Sequence, residues 1–367
     1  MIRLYFLQAF YHLRENPIIT WVSILGTAMA ICMIMVLVIT FQVRLVDCEP
    51  EVNRSRTLYV PYMSVKQKGN SDNESANASM SVRTGRECFR ALSMPEAVTL
   101  ASGVYRVRAS VPSGSKATAD MVQTDEAFWT IFSFHFLSGE AFTKADCDAG
   151  LTRAVLDATT ARRLFGTTDA VGRTVQLDYV DYTVAGVVAD VSMLATAAYA
   201  QIWVPYTAAG AEAMSWQNDT MGPMHAIILA RSSADFDAIR EETELLRKKY
   251  NDGLQDVEVF YRGQPDTQLA YLYRRWYAEP DVPGVMLRYA IVVIILLLVP
   301  AVNLSGMTLS RMRRRMAEIG VRKAFGATGG ELMRQVFFEN LVLTLLAGIC
   351  LLYTSPSPRD RTRSRMP

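Results

Sequence analysis

Between Glu15 and Arg44 the sequence contains no Asp, Glu, Lys or Arg, and between Arg288 and Arg311 it again contains none. A helix needs about 20 predominantly apolar residues to cross the hydrocarbon core of a bilayer. Buried helices of soluble proteins rarely stay uncharged for so long, so the two gaps read as membrane spans over 18–43 and 289–310. Pro300 is tolerable inside the second if neighbours satisfy the freed carbonyl. The first run reads as a retained anchor rather than a cleaved signal peptide. Its apolar core exceeds the usual ~7–15 residues, and no small-x-small site follows Val43.

Other shortages exclude other functions. The 38 Lys and Arg nearly balance the 36 Asp and Glu, leaving a net charge of +2, so no nucleic-acid partner is implied. No GxxxxGK[ST] loop exists: Gly320 and Gly326 are wrongly spaced for one, and no Lys-Ser/Thr follows. His12, His135 and His225 are the only histidines, and no HExxH or nucleophile elbow occurs. The five cysteines form no CxxC or other metal spacing. Cys48, Cys88 and Cys147 fall between the spans, where a disulfide could form, but three cannot all pair. Asp125/Glu126 and Asp146/Asp148 read as exposed helix caps and loops. Phe128, Trp129, Phe132, Phe134 and Phe136 read as core. No catalytic residue, cofactor or metal site is expected, and an anchored enzyme is disfavoured.

What is present sets the orientation. Arg3, His12 and Arg14 precede the first span; Arg311, Arg313, Arg314, Arg315, Arg322 and Lys323 follow the second. Basic residues near span ends favour the cytoplasmic side, which puts residues 44–288 outside. Trp21 and Tyr289 suit interfacial anchors.

The external region alternates strand and helix patterns irregularly. Strands are expected at 57–60, 104–111, 117–123, 153–156, 173–178, 182–189, 202–205, 224–230 and 257–260. A tight turn is expected near Val180-Asp181. Helices are expected at 86–100 with Pro95 interrupting, after Asp125, from an Asp157 cap to Phe165-Gly166, at 233–250, and at 265–288 leading into the second span. Residues 66–80 read as a mobile loop. This mixture implies an α+β external domain in two lobes, carried on transmembrane helices.

After the second span, Met312, Met316 and Ile319 form an apolar stripe on a short basic helix. Gly326 breaks it, and Thr328 with Glu331 has the spacing to start another helix. A basic loop held at anionic headgroups would explain the charge, but not Glu318, the glycine hinge or the second helix.

The run Glu318-Ile319-Gly320-Val321-Arg322-Lys323-Ala324-Phe325-Gly326-Ala327-Thr328, followed by Gln335 and Glu339, resembles the EIGVRKALGAT signature of MacB/FtsX-type ABC transporter permeases. The external region agrees in order. Phe128-Trp129 through Leu137-Ser138-Gly139-Glu140-Ala141-Phe142 is similar to that family, as are Ala154-Val155-Leu156-Asp157, Ala161-Arg162-Arg163-Leu164-Phe165-Gly166 and Val171-Gly172-Arg173. Tyr182-Thr183-Val184-Ala185-Gly186-Val187-Val188-Ala189-Asp190 resembles the family's Y.VVGVV.D, and Asn16-Pro17 before the first span also fits. Glu140 departs from the usual Arg, and Asp157 from the usual Asn or Ser.

The resemblance implies a bacterial inner-membrane permease subunit that passes ATP-driven motion to a periplasmic domain, of export or of lipoprotein, peptide or antibiotic efflux type. Expected partners are a cytoplasmic ABC ATPase, a second permease subunit, membrane lipid, and a periplasmic or outer-membrane protein. The expected layout is a cytoplasmic amphipathic helix over 1–17, the first span, a periplasmic MacB-like core domain over 44–288, and the second span. A coupling segment follows over 311–338, docking on the ATPase through Glu318, Ile319, Arg322, Lys323, Phe325 and Gly326. The family has four spans. Here the third begins at 339–352 and is too short to cross, and 353–367 reads as a non-native or disordered tail on a C-terminally truncated permease. The alternative is a two-span sensor with an external ligand-binding domain, but no kinase-like segment follows residue 310.

Overall fold

The computed structural model describes residues 17–348, apart from 70–74, 113, 277, 315, 327, 331–332, 335, 339–340, 343 and 346–347. It divides into two units, one of Gln42–Val282 and one comprising Met1–Phe41 with Pro283–Pro367.

Gln42–Val282 is built on three sheets. Strands β1 (Thr57–Val60), β4 (Ala97–Ser102), β12 (Met224–Leu229) and β14 (Asp266–Thr267) form an antiparallel sheet in the order β14-β1-β12-β4. Leu58, Val60, Leu100, Ala226 and Ile228 face one core, whereas Tyr59, Ala101, Ile227 and Leu229 face another. Both faces are covered, which is why this segment of β12 reads as a continuous apolar run rather than an alternating one. The first core is closed by β2 (Met63–Gln67), β3 (Ala76–Ala78) and β13 (Val257–Phe260), and by Ile239 and Tyr250 from the helix Phe236–Gly253.

The second lobe is a closed barrel. Strands β5 (Tyr105–Ser110), β6 (Lys116–Thr124), β7 (Phe136–Gly139), β8 (Arg153–Asp157), β9 (Thr174–Leu177), β10 (Val180–Val188) and β11 (Ile202–Pro205) run in the order β7-β10-β8-β11-β6-β5-β9. The first half of β10 also pairs with β9, so six strands close on themselves and β7 hangs on the far half of β10. Closure removes the free edges at which sheets aggregate. Val107, Met121, Leu156, Leu177, Val184 and Ile202 fill the interior. The helix Ala158–Phe165 packs Ala161 and Leu164 on this core. Asp157 caps its start, accepting the Thr160 N–H at 2.7 Å, and Gly166 ends it at φ +74°, as the sequence implied.

A third core joins the lobes. The expected aromatic cluster is its centre: Trp203 is fully buried, with Phe134 5.2 Å and Trp129 6.1 Å away between ring centroids. Beside it lies the most buried ion pair of the domain. Arg54 Nε donates to Glu51 Oε2 at 2.5 Å, with both side chains at most 1 % exposed. The guanidinium also donates to the carbonyls of Val43, Val46 and Leu194, at 2.8–2.9 Å. The other Glu51 oxygen accepts the N–H groups of Ala197 and Ala198.

Several local expectations need correction. Asp125 is not exposed: it is 1 % accessible, paired with Arg90 at 2.7 Å, and accepts from Thr99, the Leu100 N–H and the Ala127 N–H. Burial raises its pKa, with Arg90 opposing. The helical stretch at 86–100 occupies Val82–Arg90 instead, capped by Ser81, and β4 follows Pro95. A residue before proline is pushed out of the helical region. The loop at 66–80 shortens because β3 pairs with β2, while residues 70–74 lie outside those described. The helix expected over 265–288 stops at Tyr273, where Arg274 turns inward to pair with the buried Asp266. Cys48, Cys88 and Cys147 are free thiols.

The β9–β10 turn falls two residues early, at Asp178 and Tyr179, with φ of +43° and +74°. Type I′ hairpins require positive φ at both positions. Asp178 is held by the Arg108 N–H at 2.9 Å, but Tyr179 is 82 % exposed.

In the other unit, residues 17–41 belong to the helix Pro17–Leu45, and residues 283–314 to the helix Val282–Arg314. Ile24–Leu45, with mean hydropathy 2.6, is long and apolar enough to cross a membrane; Val282–Leu298 is a shorter apolar stretch. Thr40 and Ser305 hydroxyls donate to carbonyls four residues back, which satisfies both within their own helix. The Phe41 and Tyr289 rings lie 5.2 Å apart.

Two outcomes follow for urea unfolding of the full chain followed by tryptophan fluorescence. Glu51→Ala leaves a buried guanidinium unpaired and is expected to cost about 3–5 kcal/mol. Tyr179→Gly removes a left-handed aromatic residue and is expected to stabilise by about 1 kcal/mol.

Candidate functional site: the segment after the long C-terminal helix

The helix Met316–Ala324 follows Arg314 and carries Glu318, Ile319, Arg322 and Lys323 of the expected docking residues, with Phe325 and Gly326 just past its end. The break after it is local chemistry. The Phe325 N–H donates to the Val321 carbonyl at 3.1 Å and the Gly326 N–H to Lys323 at 3.0 Å. Gly326 then adopts φ +92°, open to glycine but strained for other residues. Helical backbone recurs from Gly329 among the described residues.

The six expected residues fall within nine positions of one another, but are not alike. Phe325 is 88 % exposed, Lys323 is exposed, and Ile319 is half-buried. Glu318 and Arg322 have helical backbone, while their side chains lie outside the described part, as do Ala327, Glu331, Gln335 and Glu339. The anticipated apolar stripe is split. Met312 and Ile319 are half-buried, whereas Met316 and Val321 are 70 % and 57 % exposed. A Cβ at Gly320 or Gly326 would meet nothing within 4 Å, so a partner's backbone can approach there.

One contact escaped the sequence reading. Ser79 Oγ lies 2.8 Å from His225 Nε2, across 146 residues. It has the form of a nucleophile and base, but burial pulls the His225 pKa down to about 4. An imidazole so weakly basic is a poor proton acceptor near neutral pH. No cluster of three or more His, Cys, Asp or Glu suited to a metal occurs among the described residues.

Residues 20–246 match the family model of the MacB-like periplasmic core domain, and residues 290–354 match that of the FtsX-like permease C-terminal domain. The chain belongs to the MacB/FtsX-type ABC transporter permeases. Among its relatives is the pyoverdine export ATP-binding/permease protein PvdT of Pseudomonas aeruginosa, 28 % identical over 225 residues, 60 % of this chain and 32 % of that one. The macrolide export ATP-binding/permease protein MacB 1 of Yersinia pestis is 25 % identical over 234 residues, 63 % and 34 % of the two chains. These alignments take in about a third of each relative's length. Among solved structures, the periplasmic region of MacB from Actinobacillus actinomycetemcomitans is 18 % identical, covering 56 % of this chain and 90 % of that one, with a TM-score of 0.39. The extracellular domain of the ABC-type transporter YknZ is 16 % identical, covering 54 % and 99 %, with a TM-score of 0.38. Membership makes Gln42–Val282, in which most of the first match falls, the extracytoplasmic α+β domain of an ABC transporter permease.

His225 gives this domain a pH signature. Unfolded, the residue titrates near 6.5; folded, near 4. Between those values the unfolded chain binds a proton that the folded one does not. Stability is therefore fully present above pH 6.5 and falls toward pH 4, by about 3 kcal/mol from this residue. Denaturant midpoints across that range should show the loss, and His225→Gln should be less pH-dependent than the native chain.

Proposed function

We propose that this chain is a non-catalytic permease subunit that couples a cytoplasmic ABC ATPase to work outside the membrane. In this reading 18–43 and 289–310 span the inner membrane, 44–288 is periplasmic, and residues 1–17 and 311–338 are cytoplasmic. Two permease subunits act together. Closure of the ATPase pair on ATP is passed through the spans to the periplasmic domains, which act on an exported or extracted molecule.

The observation that carries the proposal is the segment from Met316 to Gly326. A permease driven by an ABC ATPase needs a firm point of contact for it. This segment offers a short helix, a large exposed aromatic at its end and a glycine stop, beside basic residues. An aromatic anchor surrounded by polar contacts is the usual make-up of a binding hot spot. Ile319 and Phe325 supply apolar contact, Gly326 the turn, and Glu318, Arg322 and Lys323 the charged rim. The match of residues 290–354 to the FtsX-like permease domain supports the same assignment.

Co-expression with the cognate ATPase tests this. The native chain should retain the ATPase through affinity purification. Arg322→Glu with Lys323→Glu, or Phe325→Ala, should reduce recovery by roughly tenfold or more while leaving membrane insertion intact. Undiminished recovery from all these variants would argue against docking at this segment.

A further inference from the structure

A half-open cleft of about 130 Å³ lies where the four-stranded sheet meets the β6 wall and the segment 196–199. Tyr59, Tyr271 and His225 supply its aromatic surface, and Val60, Val122 and Ile227 are among its apolar lining. Tyr59 and Tyr271 are stacked, with ring centroids 4.5 Å apart and planes 15° from parallel. No Asp, Glu, Lys or Arg lines the cleft.

Several of its polar groups are committed, while, among the described residues, the Thr196 and Tyr271 hydroxyls, which also line it, are not. Ser102 Oγ donates to the Gly103 carbonyl and accepts the Gln123 N–H. His225 Nε2 meets Ser79, and the Tyr199 hydroxyl donates to Asp120 at 3.1 Å. Tyr59 is different. It is 2 % exposed, and its hydroxyl has no hydrogen-bond partner among the described residues. A buried polar group without a partner costs stability, and a bound molecule can relieve that cost. Burial, and then the nearby Glu51 carboxylate, hold the Tyr59 pKa well above the ordinary tyrosine value, so the group remains a neutral donor.

We propose that this cleft binds a small uncharged aromatic ring bearing a hydroxyl, a phenol-type molecule whose oxygen accepts a hydrogen bond from Tyr59. Volume limits the ligand: an apolar cavity of about 150 Å³ admits one benzene. Charge limits it next, because an ionised ligand would be desolvated here without a counter-ion. The uncommitted hydroxyls, those of Tyr59, Thr196 and Tyr271, are fewer than a sugar ring carries, which disfavours burying one here. The proposal does not depend on ATPase docking.

The test uses the purified full chain in detergent, titrated with phenol by calorimetry and ligand-observed NMR, with benzoate and glucose as controls. Phenol should bind saturably at one site per chain, and the controls should not. Tyr59→Phe keeps the ring and removes the donor, and should weaken binding about two- to tenfold. Gly103→Leu should abolish it. Gly103 lies on the cleft wall at ordinary φ, and a Cβ there meets only His225 Cε1 at 3.8 Å, so the longer side chain occupies the space. No saturable phenol binding, equal binding of benzoate or glucose, or full affinity in Tyr59→Phe would overturn the proposal. So would full affinity in a Gly103→Leu chain whose melting temperature shows it is folded.

Discussion

The external domain depends on one buried ion pair. Isolated, either Glu51 or Arg54 would be prohibitively costly so far from water; together, they still gain little unless their remaining hydrogen-bonding capacity is filled. Here it is filled by backbone. The carbonyls of Val43 and Val46, at the end of the first long helix, and that of Leu194 accept from Arg54, while the Ala197 and Ala198 N–H groups reach Glu51. A helix leaves its last carbonyls without intrahelical donors, and a guanidinium is well shaped to collect them. Two stretches far apart in sequence, 43–46 and 194–198, are thus tied by a pair three residues apart. The segment from Leu194 to Tyr199, which has no regular structure of its own, is held at Leu194, Ala197 and Ala198 by this node. The cleft beside Tyr59 takes part of its wall from that segment.

The two lobes also depend on a sheet that cannot be separated from either. β1 and β12 contribute alternate residues to the core under the long helix and to the aromatic core against the barrel. A shift of either strand by one residue would exchange the two sets. Leu58, Val60 and Ile228 would then face the aromatic core, and Tyr59 would enter the core they now fill. Register is therefore enforced from both sides. Barrel closure leaves β7 attached to one half of β10, where Gly139 and Gly186 pass so closely that an added Cβ at either would come within 2.6 Å of backbone oxygen.

Much of this was legible in the sequence where the causes are local. Asp157, Phe165-Gly166 and the apolar run of β12 each express a rule spanning a few residues, and each appears where expected. The misplacements have non-local causes. Asp125 reads as a surface cap because its partner Arg90 is 35 residues away, and burial follows from the pairing. Tyr273 ends a helix because Arg274 is drawn to Asp266, which no helical periodicity reveals. The hairpin turn falls at Asp178-Tyr179 because strand pairing sets its position, although tyrosine is a poor residue for positive φ. Ser79 and His225 meet only once β12 is in place. The helix Met316–Ala324 was legible because its signal is a continuous motif, but the exposure of Met316 and Val321 was not.

That exposure bears on what the segment touches. At about 100° per residue, Val321 and Met316 project roughly 140° apart, with Phe325 close to Val321 and Lys323 close to Met316. An in-plane membrane helix gathers its apolar residues on one face and its basic residues on the other. Here the exposed apolar groups lie on two sides, and one shares its side with a lysine. Sinking either side into the headgroups leaves the other in water. A concave protein surface has no such constraint, because it can contact a short helix around most of its circumference. Burying Val321 and Phe325 together would gain roughly 3–6 kcal/mol of transfer free energy before the losses of association. The distribution of side chains around this helix, more than its net charge, favours a protein socket over the bilayer surface.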